Sequence, residues 1–258
     1  MKKVALITGS SSGIGLEMAH FVAQRGYNLL LVSNDEEGLI KAKNILSAYP
    51  IETTIYSMDL AQESAANELY HYTKENDFEV EVLINNAGIF FFGEVAETDV
   101  QKAQILINLH VATVTQLCIF FAKEMKTRKK GYILNTSSIS AYKDFPGIAF
   151  YGASKSFIKS FTRSLRTEMR YYGVYVTCLS PGATATNLYD DKGINVELGK
   201  KLGIMMSAKS VAKSGVRALF NNRANVVPGV VTKIMLGFSI ITPHWVIYQI
   251  RKHSKWLK

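Results

Sequence analysis

Cysteine and proline are scarce in this chain, and it has no low-complexity repeat. Its 258 residues include two cysteines, Cys118 and Cys178, which are too few for a disulfide framework. Both stand in apolar runs, where a free thiol is usually buried, and this favours a reducing compartment. The composition, 48% hydrophobic and 20% charged, is too apolar for a disordered chain. The basic and then apolar start, residues 1–7, is too short for the core of a signal peptide. We therefore expect a globular, cytoplasmic protein.

Acidic residues are absent from the C-terminal part of the chain. All Asp and Glu residues lie at or before Glu197, whereas eleven Lys and Arg residues follow from Lys200 onward. The formal net charge of +9 is therefore concentrated at one end. Such an asymmetry suits an acidic partner or an anionic membrane surface, and it suits a solvated basic face equally well. No nucleic-acid recognition motif accompanies these charges, so nucleic acid is not an expected partner.

A long uninterrupted hydrophobic run is also missing. The apolar stretch at residues 234–250 is 17 residues long and is broken by Pro243, whereas a membrane-spanning helix needs about 20 predominantly apolar residues. Trp245 and Trp256 stand near cations, as in segments that lie on a membrane surface. We expect this segment to contact the inner face of a membrane peripherally, or to pack on the protein body or a partner subunit. The predicted division is a single main domain over residues 1–230 and a basic, apolar extension over residues 231–258.

Apolar runs of strand length alternate with longer segments of helical periodicity along most of the chain. This alternation predicts a parallel sheet. The predicted strands lie at residues 4–7, 28–33, 52–57, 80–85, 131–136, 174–179 and 225–227. The predicted helices lie at residues 13–25, 36–48, 64–75, 98–126, 151–172 and 207–221. The expected fold class is α/β: a doubly wound, Rossmann-like, mainly parallel sheet of about seven strands with helices on both faces.

The first chemical motif stands where the first predicted strand ends and the first predicted helix begins. It reads Thr8-Gly9-Ser10-Ser11-Ser12-Gly13-Ile14-Gly15. Glycines at such a place let the backbone turn tightly and approach a pyrophosphate, which the helix N-terminus stabilises through its free N–H groups and its dipole. The spacing is G-x-x-x-G-x-G and departs from the G-x-G-x-x-G dinucleotide fingerprint. The motif therefore predicts a nucleotide-binding turn of a different subtype.

Further motifs follow the later predicted strands in order. They are Asp59-Leu60 after the third strand, Asn85-Asn86-Ala87-Gly88 after the fourth, Ser138 and the Tyr151-x-x-x-Lys155 pair after the fifth, and Pro181-Gly182-Ala183-Thr184-Ala185-Thr186 after the sixth. Together with the glycine motif, they resemble the short-chain dehydrogenase/reductase family over roughly residues 3–230. Such a set of ordered matches is very specific.

The resemblance implies an NAD(P)-dependent oxidoreductase that interconverts a carbonyl and an alcohol by hydride transfer. The catalytic residues that it implies are Asn108, Ser138, Tyr151 and Lys155, with Asn108 joined to Lys155 through a water in a proton relay. The cofactor contacts that it implies are Gly9, Ser11, Ser12, Gly13, Ile14, Gly15, Ser33, Asn34, Asp59, Leu60, Asn86, Ala87, Gly88, Tyr151, Lys155, Pro181, Gly182, Thr184 and Thr186. No metal site is expected, because the five histidines form neither an H-E-x-x-H motif nor a Cys/His cluster.

The chemistry of Tyr151 and Lys155 also follows from their spacing. Residues i and i+4 share one face of a helix, so the phenol and the ammonium project into the same space. A phenol has a reference pKa of ~10, and a nearby cation lowers that pKa by favouring the phenolate. Tyr151 then becomes a usable acid or base, while the Ser138 hydroxyl holds the carbonyl or carbinol oxygen. Ser137 and Ser140 compete for this role, and the spacing of thirteen positions to Tyr151 selects Ser138.

Cofactor choice is expected at the end of the second strand. NAD-dependent members of the family tend to carry Asp at the position of Ser33, and NADP-dependent members tend to carry Arg at the position of Asn34. Because no acidic group at Ser33 repels a 2′-phosphate, the sequence slightly favours NADP(H) over NAD(H). Asp35 is interpreted as the N-cap of the helix that opens at Glu36, and a ribose contact in a shifted loop is the alternative.

Substrate selectivity is expected from three loops after the strand ends, at residues 89–93, 141–150 and 186–204. Their aromatic residues predict a pocket for an apolar ketone or alcohol, although such residues often belong to the core. These residues are Phe90, Phe91, Phe92, Phe145 and Tyr189. The long helices carry more apolar surface than one core needs, and the family resemblance implies a homodimer or homotetramer. The alternative function is a nucleotide-binding regulatory or scaffold protein that binds through its basic tail, but an intact catalytic set favours the enzyme.

Overall fold

A seven-stranded sheet forms the centre of the computed structural model, which describes residues 2–186 and 205–253. Its strands are all parallel and lie in the order β3-β2-β1-β4-β5-β6-β9. They are β1 Lys2–Thr8, β2 Asn28–Ser33, β3 Thr53–Ser57, β4 Phe78–Asn85, β5 Gly131–Thr136, β6 Val174–Leu179 and β9 Asn225–Val226. Two short strands, β7 Thr184–Ala185 and β8 Met206–Ser207, pair with each other. The predicted parallel sheet and each of its predicted strands are confirmed.

Helices cover both faces of this sheet, as the alternation of patterns predicted. They are α1 Gly13–Ala23, α2 Glu36–Leu46, α3 Ala65–Glu75, α4 Val100–Ile107, α5 Thr113–Arg128, α6 Ala149–Arg170, α7 Ala208–Phe220, α8 Val230–Ile241 and α9 His244–His253. The long helix predicted at residues 98–126 differs in one respect, because a π turn at Asn108–Ala112 separates α4 from α5. A pattern of apolar residues does not reveal one inserted residue in a helical turn.

The core lies in two layers, one on each side of the sheet. In β1, Val4 and Leu6 face the layer formed with α3, α5 and α6, whereas Ala5 and Ile7 face the layer formed with α1, α2 and α7. Successive strand residues point to opposite faces, so a strand covered on both sides must be apolar at every position. This explains the continuous apolar runs of the sequence. Cys118 and Cys178 are free and buried, as expected.

The strand order reverses next to β1, which pairs with β2 on one side and with β4 on the other. In open α/β sheets, ligands bind outside the carboxyl ends of the strands at such a switch point. The loops that follow β1, β2, β4 and β5 all emerge at this edge. The fold therefore brings the sequence motifs together in one place.

The C-terminal helices differ from the rest in their exposure. α8 and α9 are bent by 102° relative to each other at residues 242–243. By length and composition alone, this bent pair and the helix Val100–Arg128 are apolar enough to cross a membrane. Val100–Arg128, however, contributes Leu117 and Phe121 to the core beside the sheet. Packing within the domain thus accounts for part of its apolar character.

Candidate active site

A cavity of about 470 Å³ opens at the carboxyl ends of the strands around β1 and β4. All the predicted cofactor contacts line it except Gly15, which lies beneath the turn, and Ser138 lines it as well. Of the remaining lining residues, Phe90 and Ile89 belong to a loop predicted to border the substrate, and Ser137 was the competitor of Ser138. The sequence did not single out Met58, Leu109 and Thr136. The structure therefore brings nearly the whole predicted set into one cleft.

The turn between β1 and α1 has room for a ligand only because its glycines lack side chains. Gly9 has φ +63°, and a Cβ added there would lie 2.7 Å from the Cα of Ala87. A Cβ on Gly15 would overlap the carbonyl oxygen of Gly9. The N-cap of α1, Ser12, makes no side-chain capping bond to the helix. Such a glycine-lined turn leading into a helix N-terminus fits the diphosphate of a dinucleotide.

The loop after β4 is fastened to this turn by hydrogen bonds. Thr8 Oγ1 accepts from the N–H groups of Asn86 at 3.0 Å and Ala87 at 3.1 Å. The side-chain amide of Asn86 donates to the carbonyl oxygens of Thr8 at 3.3 Å and Gly9 at 3.1 Å. Thr8 was not among the predicted site residues, although it opens the glycine motif. Its hydroxyl fixes the distance between two walls of the cleft.

The end of β2 carries uncharged side chains toward the cleft. Ser33 Oγ donates to Ser11 Oγ at 3.1 Å and accepts from the N–H of Asp35 at 3.2 Å. Asp35 Oδ1 accepts from the N–H of Gly38 at 3.0 Å, which confirms its interpretation as the N-cap of α2. Ser33 and Asn34 line the cavity. A ribose at this wall would therefore meet hydroxyl and amide groups rather than a carboxylate or a guanidinium.

Asp59 also lines the cleft beside Leu60, at the start of the loop after β3. Its Oδ1 accepts from the N–H of Ala61 at 2.9 Å, and its Oδ2 accepts from the side-chain amide of Gln62 at 2.9 Å. Both carboxylate oxygens are thus anchored within their own turn. Asp59 accordingly shapes this wall of the cleft and holds Leu60 against it.

Ser138, Tyr151 and Lys155 stand together on the opposite wall. Lys155 Nζ lies 5.6 Å from the centroid of the Tyr151 ring and donates to the carbonyl of Thr136 at 3.1 Å. Burial lowers the pKa of Lys155 to about 8, because the charged ammonium is poorly solvated there. Ser138 Oγ accepts from the N–H of Ser140 at 3.2 Å. This leaves the hydroxyl proton of Ser138 available to a substrate oxygen.

The two competing serines have other surroundings. Ser137 Oγ donates to the carbonyl of Lys155 at 2.7 Å, so that its proton is engaged in holding α6. Ser140 is buried in the short turn that follows β5 and does not line the cavity. The geometry therefore favours Ser138, in agreement with the choice made from spacing.

The Asn108 side chain faces away from this group, so the predicted link to Lys155 through a water would have to start from the Asn108 main chain. Its Nδ2 donates to the carbonyl of Ala61 at 3.0 Å, and its Oδ1 accepts from Gln104 at 2.7 Å. Asn108 opens the π turn, and its amide faces the loop after β3 rather than the cavity. The position of its side chain depends on this turn, which the sequence pattern did not reveal.

His110, in the same π turn, is a residue of the site that sequence reasoning missed. It is 1% exposed, and its ring lies 5.8 Å from that of Tyr151, centroid to centroid, at an interplanar angle of 71°. Its burial and the nearby Lys155 hold its pKa well below the ordinary range of histidine. The only signal in the sequence was its closeness to Asn108, since no metal or triad motif includes it.

The aromatic residues predicted to line a substrate pocket differ in position and exposure. Phe90 lines the cleft and contacts the Tyr151 ring edge-on at 4.9 Å between centroids. Phe91 is buried beneath Lys102 and is a core residue. Phe92 and Phe145 are exposed and do not line the cavity. Successive residues of an extended chain point to opposite sides, which explains why Phe91 turns away from Phe90. The prediction was wrong for Phe91, Phe92 and Phe145, none of which lines the described cavity.

Tyr189 and most of the loop at residues 186–204 lie outside the described residues. Within residues 2–186 and 205–253, no group of three His, Cys, Asp or Glu side chains is arranged to hold a metal ion. The cleft chemistry of this part of the chain therefore comes from a hydroxyl, a phenol and an amine.

Comparison with known proteins places this architecture in a family. The family model described as short chain dehydrogenase matches residues 3–197. An uncharacterized oxidoreductase of Staphylococcus saprophyticus is 31% identical over 84% of this chain and 91% of that protein. A solved short-chain dehydrogenase from Sphingobium yanoikuyae in complex with NADPH has a TM-score of 0.81 at 25% identity, covering 94% of this chain and 96% of its own.

A further relative, the human protein named inactive hydroxysteroid dehydrogenase-like protein 1, is 34% identical over 71% of this chain. This chain spans 56% of the length of that protein. Because that relative is named inactive, the side chains of the cleft are the relevant comparison. In this chain Ser138, Tyr151 and Lys155 are all present and line the cleft. The matches do not support the alternative of a regulatory or scaffold protein. The chain belongs to the short-chain dehydrogenase/reductase family and is an NAD(P)-dependent oxidoreductase of that family.

Proposed function

We propose that this enzyme interconverts a carbonyl and an alcohol on an apolar substrate, with Ser138, Tyr151 and Lys155 as its catalytic residues. One observation carries the proposal: a buried ammonium lies 5.6 Å from a tyrosine ring, in the same cavity as a serine hydroxyl whose oxygen accepts from a main-chain N–H. Each of these groups has a task in proton transfer to a carbonyl oxygen. If Ser138 and Tyr151 were ordinary surface residues, there would be no reason to bury the Lys155 ammonium beside them at the cost of its solvation.

The cavity fits a nicotinamide dinucleotide. As the family resemblance implies, the glycine turn after β1 would hold the diphosphate, Asp59 and Leu60 would border the adenine, and the segment from Pro181 to Thr186 would border the nicotinamide. A bound nicotinamide supplies or accepts the hydride. A Cβ added to Gly88 would lie 2.9 Å from His110 and 3.6 Å from Lys155 Nζ, so this wall tolerates no side chain either.

The protein residues provide the proton and hold the reacting oxygen. In the direction of reduction, the Ser138 hydroxyl donates a hydrogen bond to the carbonyl oxygen, and the Tyr151 hydroxyl transfers its proton to that oxygen as the carbon gains hydride. Lys155 stabilises the resulting phenolate by its charge. The reverse steps oxidise an alcohol. We assign Asn108 no side-chain part in proton transfer and give it the role of opening the π turn beneath the site.

The preference for NADP(H) is proposed from the end of β2. Ser33 and Asn34 present no carboxylate that would repel a 2′-phosphate. A Ser33→Asp substitution should raise the KM for NADPH by about tenfold or more and lower that for NADH, because a carboxylate repels the phosphate and accepts from ribose hydroxyls. Equal effects on both cofactors would contradict this preference.

The substrate side of the cleft is apolar. Phe90 lines it next to the Tyr151 ring, and Ile89 and Leu109 line the same cavity. Apolar walls with few polar groups are typical of pockets that bind hydrophobic small molecules. We therefore expect bulky apolar ketones or alcohols to be better substrates than small hydrophilic ones.

The function is tested by following the absorbance of the reduced cofactor with a panel of ketones and alcohols. Ser138→Ala should lower kcat by roughly 10²-fold or more while the affinity for NADPH stays within about threefold. Ser140→Ala is the matched control, because it removes a nearby hydroxyl and keeps the main-chain N–H that binds Ser138. Absence of turnover by the wild type across the panel would overturn the proposal, and so would equal rates for the wild type and Ser138→Ala.

A homodimer or homotetramer is proposed from exposed apolar side chains on the helices of one face. Val100 of α4 is 75% exposed, Ile119 of α5 61% and Phe157 of α6 44%. Monomeric proteins rarely expose contiguous apolar patches of this kind. Light scattering should give a mass of two or four chains, and Ile119→Lys should lower it. A wild-type monomer would contradict the proposal.

For α8 and α9 we propose peripheral contact with an anionic membrane from the cytoplasmic side. Their large apolar side chains are turned outward, with Val230 and Ile241 both 73% exposed, Trp245 68% and Phe238 66%. The chain from Lys200 onward has no acidic residue. The apolar side chains of such a helix can be buried among the lipids, and the surrounding cations are attracted to the anionic headgroups.

The same helices adjoin the loops that border the cleft. Arg251 of α9 forms an ion pair with Glu94, which follows the loop at residues 89–93. Thr232 of α8 is buried, and its methyl carbon lies 2.8 Å from a Cβ built on Gly182, a cleft residue. A membrane-bound α8 would therefore place the cleft near the lipid surface, where an apolar substrate is concentrated.

Sedimentation with vesicles tests this contact. The full chain should bind vesicles of phosphatidylcholine with phosphatidylglycerol more strongly than vesicles of phosphatidylcholine alone. Ile241→Ser should weaken binding, whereas Ile45→Ser, on the exposed side of α2, should not. Equal binding by these two variants would contradict the proposal. A lower oligomeric mass for Ile241→Ser would instead assign this face to a second copy of the chain.

A further inference from the structure

His110 is a buried titratable residue next to the catalytic group, and the mechanism above gives it no task. Its Nε2 lies 3.0 Å from the main-chain nitrogen of Ile89, in the loop after β4. Its Nδ1 lies 3.0 Å from Ser154 Oγ, on α6. The ring therefore spans two elements that both contribute to the cleft.

The partners determine which ring nitrogen carries the proton. The N–H of Ile89 can only donate, so Nε2 of His110 must accept and Nδ1 must hold the hydrogen. Nδ1–H then donates to Ser154 Oγ, and the Ser154 hydroxyl donates to the main-chain carbonyl of Tyr151 at 2.8 Å. Each donor in this series has one acceptor. The result is a continuous hydrogen-bonded bridge of neutral groups from Ile89 to Tyr151.

Ring contacts form a second connection between the loop after β4 and Tyr151. Phe90, the neighbour of Ile89, contacts the Tyr151 ring edge-on, and so does His110. A proton added to His110 would turn Nε2 into a donor that faces the donor N–H of Ile89. Burial and the charge of Lys155 both oppose this, and they hold the pKa of His110 well below that of a solvated histidine. The surroundings thus maintain the form that the bridge requires.

We propose that His110 is a positioning residue, which fixes the Ile89–Phe90 loop and Tyr151 relative to each other through this bridge. The loop borders the substrate and Tyr151 transfers the proton, so their relative position sets the alignment of the substrate oxygen with the phenol. A misplacement of about 1 Å in such an arrangement can lower a rate by ~10²-fold. The inference rests on the proposed role of Tyr151 and adds a residue that does not touch the substrate.

Three substitutions of His110 separate the bridge from simple packing. His110→Phe keeps the ring and removes both hydrogen bonds, His110→Gln can place an amide oxygen near the Nε2 position, and His110→Asn can place an amide nitrogen near the Nδ1 position. We expect kcat to fall by roughly 10–100-fold in His110→Phe, with the KM for NADPH changed by less than about threefold. His110→Gln should lose less than His110→Phe, and about as much as Ser154→Ala, because it keeps the contact to Ile89 but not the bond to Ser154.

Ser154→Ala provides the second measurement, and it is expected to fold because alanine is favourable within a helix. It breaks the bridge at one bond, so kcat should fall by about threefold or more. Combined with His110→Phe, it should add almost nothing, because both changes interrupt the same series of bonds. His71→Phe, at an exposed position on α3, is the control and should leave kcat unchanged.

The outcomes are distinct. Wild-type kcat in folded His110→Phe overturns the inference, and so does an equal loss in the Phe and Gln variants. If His110→Phe does not fold, an unchanged kcat in Ser154→Ala overturns it as well. Failure of the wild type to turn over any substrate would instead refute the proposed function. Failure of the proposed function is thereby distinguished from failure of the positioning role of His110.

Discussion

The cleft and the α8–α9 pair are adjacent, yet the surroundings of their side chains differ. In the cleft, polar groups such as those of Thr8, Asp59 and Asn86 have hydrogen-bond partners within the chain. On α8 and α9, large apolar side chains such as Ile241 and Trp245 face outward. A site for one defined ligand needs rotamers fixed by partners, whereas an exposed apolar face gains free energy only when another surface covers it. The named polar groups of the first region are therefore satisfied within the chain, whereas the apolar side chains of the second are left exposed.

The largest expected effect contrasts a tyrosine of each region. Tyr151→Phe should lower kcat by roughly 10²–10⁴-fold, because the proton donor is lost while the ring remains. Tyr248→Phe, at a 64% exposed position of α9, should leave kcat unchanged. Steady-state rates and NADPH titrations of both variants test this contrast. A Tyr151→Phe enzyme with the wild-type rate would show that another group supplies the proton.

Sequence reasoning succeeded where a motif sits at the end of a strand. The bounds of β2, β5 and β6 agree with the prediction residue for residue, since continuous apolar runs are ended by polar or turn-forming residues. The glycine turn followed from its place between a strand and a helix, and the shared face of Tyr151 and Lys155 followed from their spacing together with the surrounding motifs. These features depend on local geometry, which a sequence pattern records directly.

The features that sequence reasoning missed depend on tertiary geometry. The π turn at Asn108–Ala112 turns the Asn108 amide away from the cleft and places His110 behind the cleft wall, against the main chain of Ile89. Nothing in the apolar periodicity indicates where a helix admits an extra residue in one turn. Likewise, the loop backbone alone decides that Phe90 lines the cleft and Phe91 the core.

The second prediction concerns pH. Lys155 has a pKa of about 8 in the folded protein, against 10.5 for the ordinary side chain. Activity should therefore fall above pH 8, by up to about tenfold per pH unit, as the cation beside Tyr151 is lost. Stability should change in the opposite direction. Between pH 8 and 10.5 the unfolded chain binds a proton that the native protein lacks, so the free energy of unfolding rises with pH.

Two lysine substitutions separate these effects. Urea unfolding of the wild type and of Lys155→Met at pH 7 to 10 should show the wild type gaining stability relative to the variant as pH rises. Lys233→Met, on the exposed side of α8, should keep the wild-type activity profile. A wild-type activity profile that stays flat from pH 7 to 10 would contradict the role of the Lys155 charge.

The third prediction compares a glycine of each region. Gly9→Ala should lower the free energy of unfolding by roughly 1–3 kcal/mol and abolish NADPH binding, because φ is +63° and the new Cβ would press on the Ala87 backbone. Gly237→Ala lies within α8, where a Cβ would meet no atom within 4 Å. It should raise stability by up to about 1 kcal/mol. Urea unfolding and fluorescence titration with NADPH measure both variants, and equal stability changes would contradict the contrast.

The smallest expected effect tests whether the α8 face is used within a single chain. Phe238→Ser removes a side chain that is 66% exposed, so the free energy of unfolding should change by less than about 0.5 kcal/mol at a protein concentration where the chain is free of lipid. Phe121→Ala, in the buried layer against α3, should cost about 3–5 kcal/mol in the same measurement. A cost for Phe238→Ser near that of Phe121→Ala would mean that the chain itself, or a second copy of it, already covers this face. A negligible cost, together with weaker binding to anionic vesicles, would mean that the face contributes only when lipid covers it, because its apolar surface is then the part removed from water.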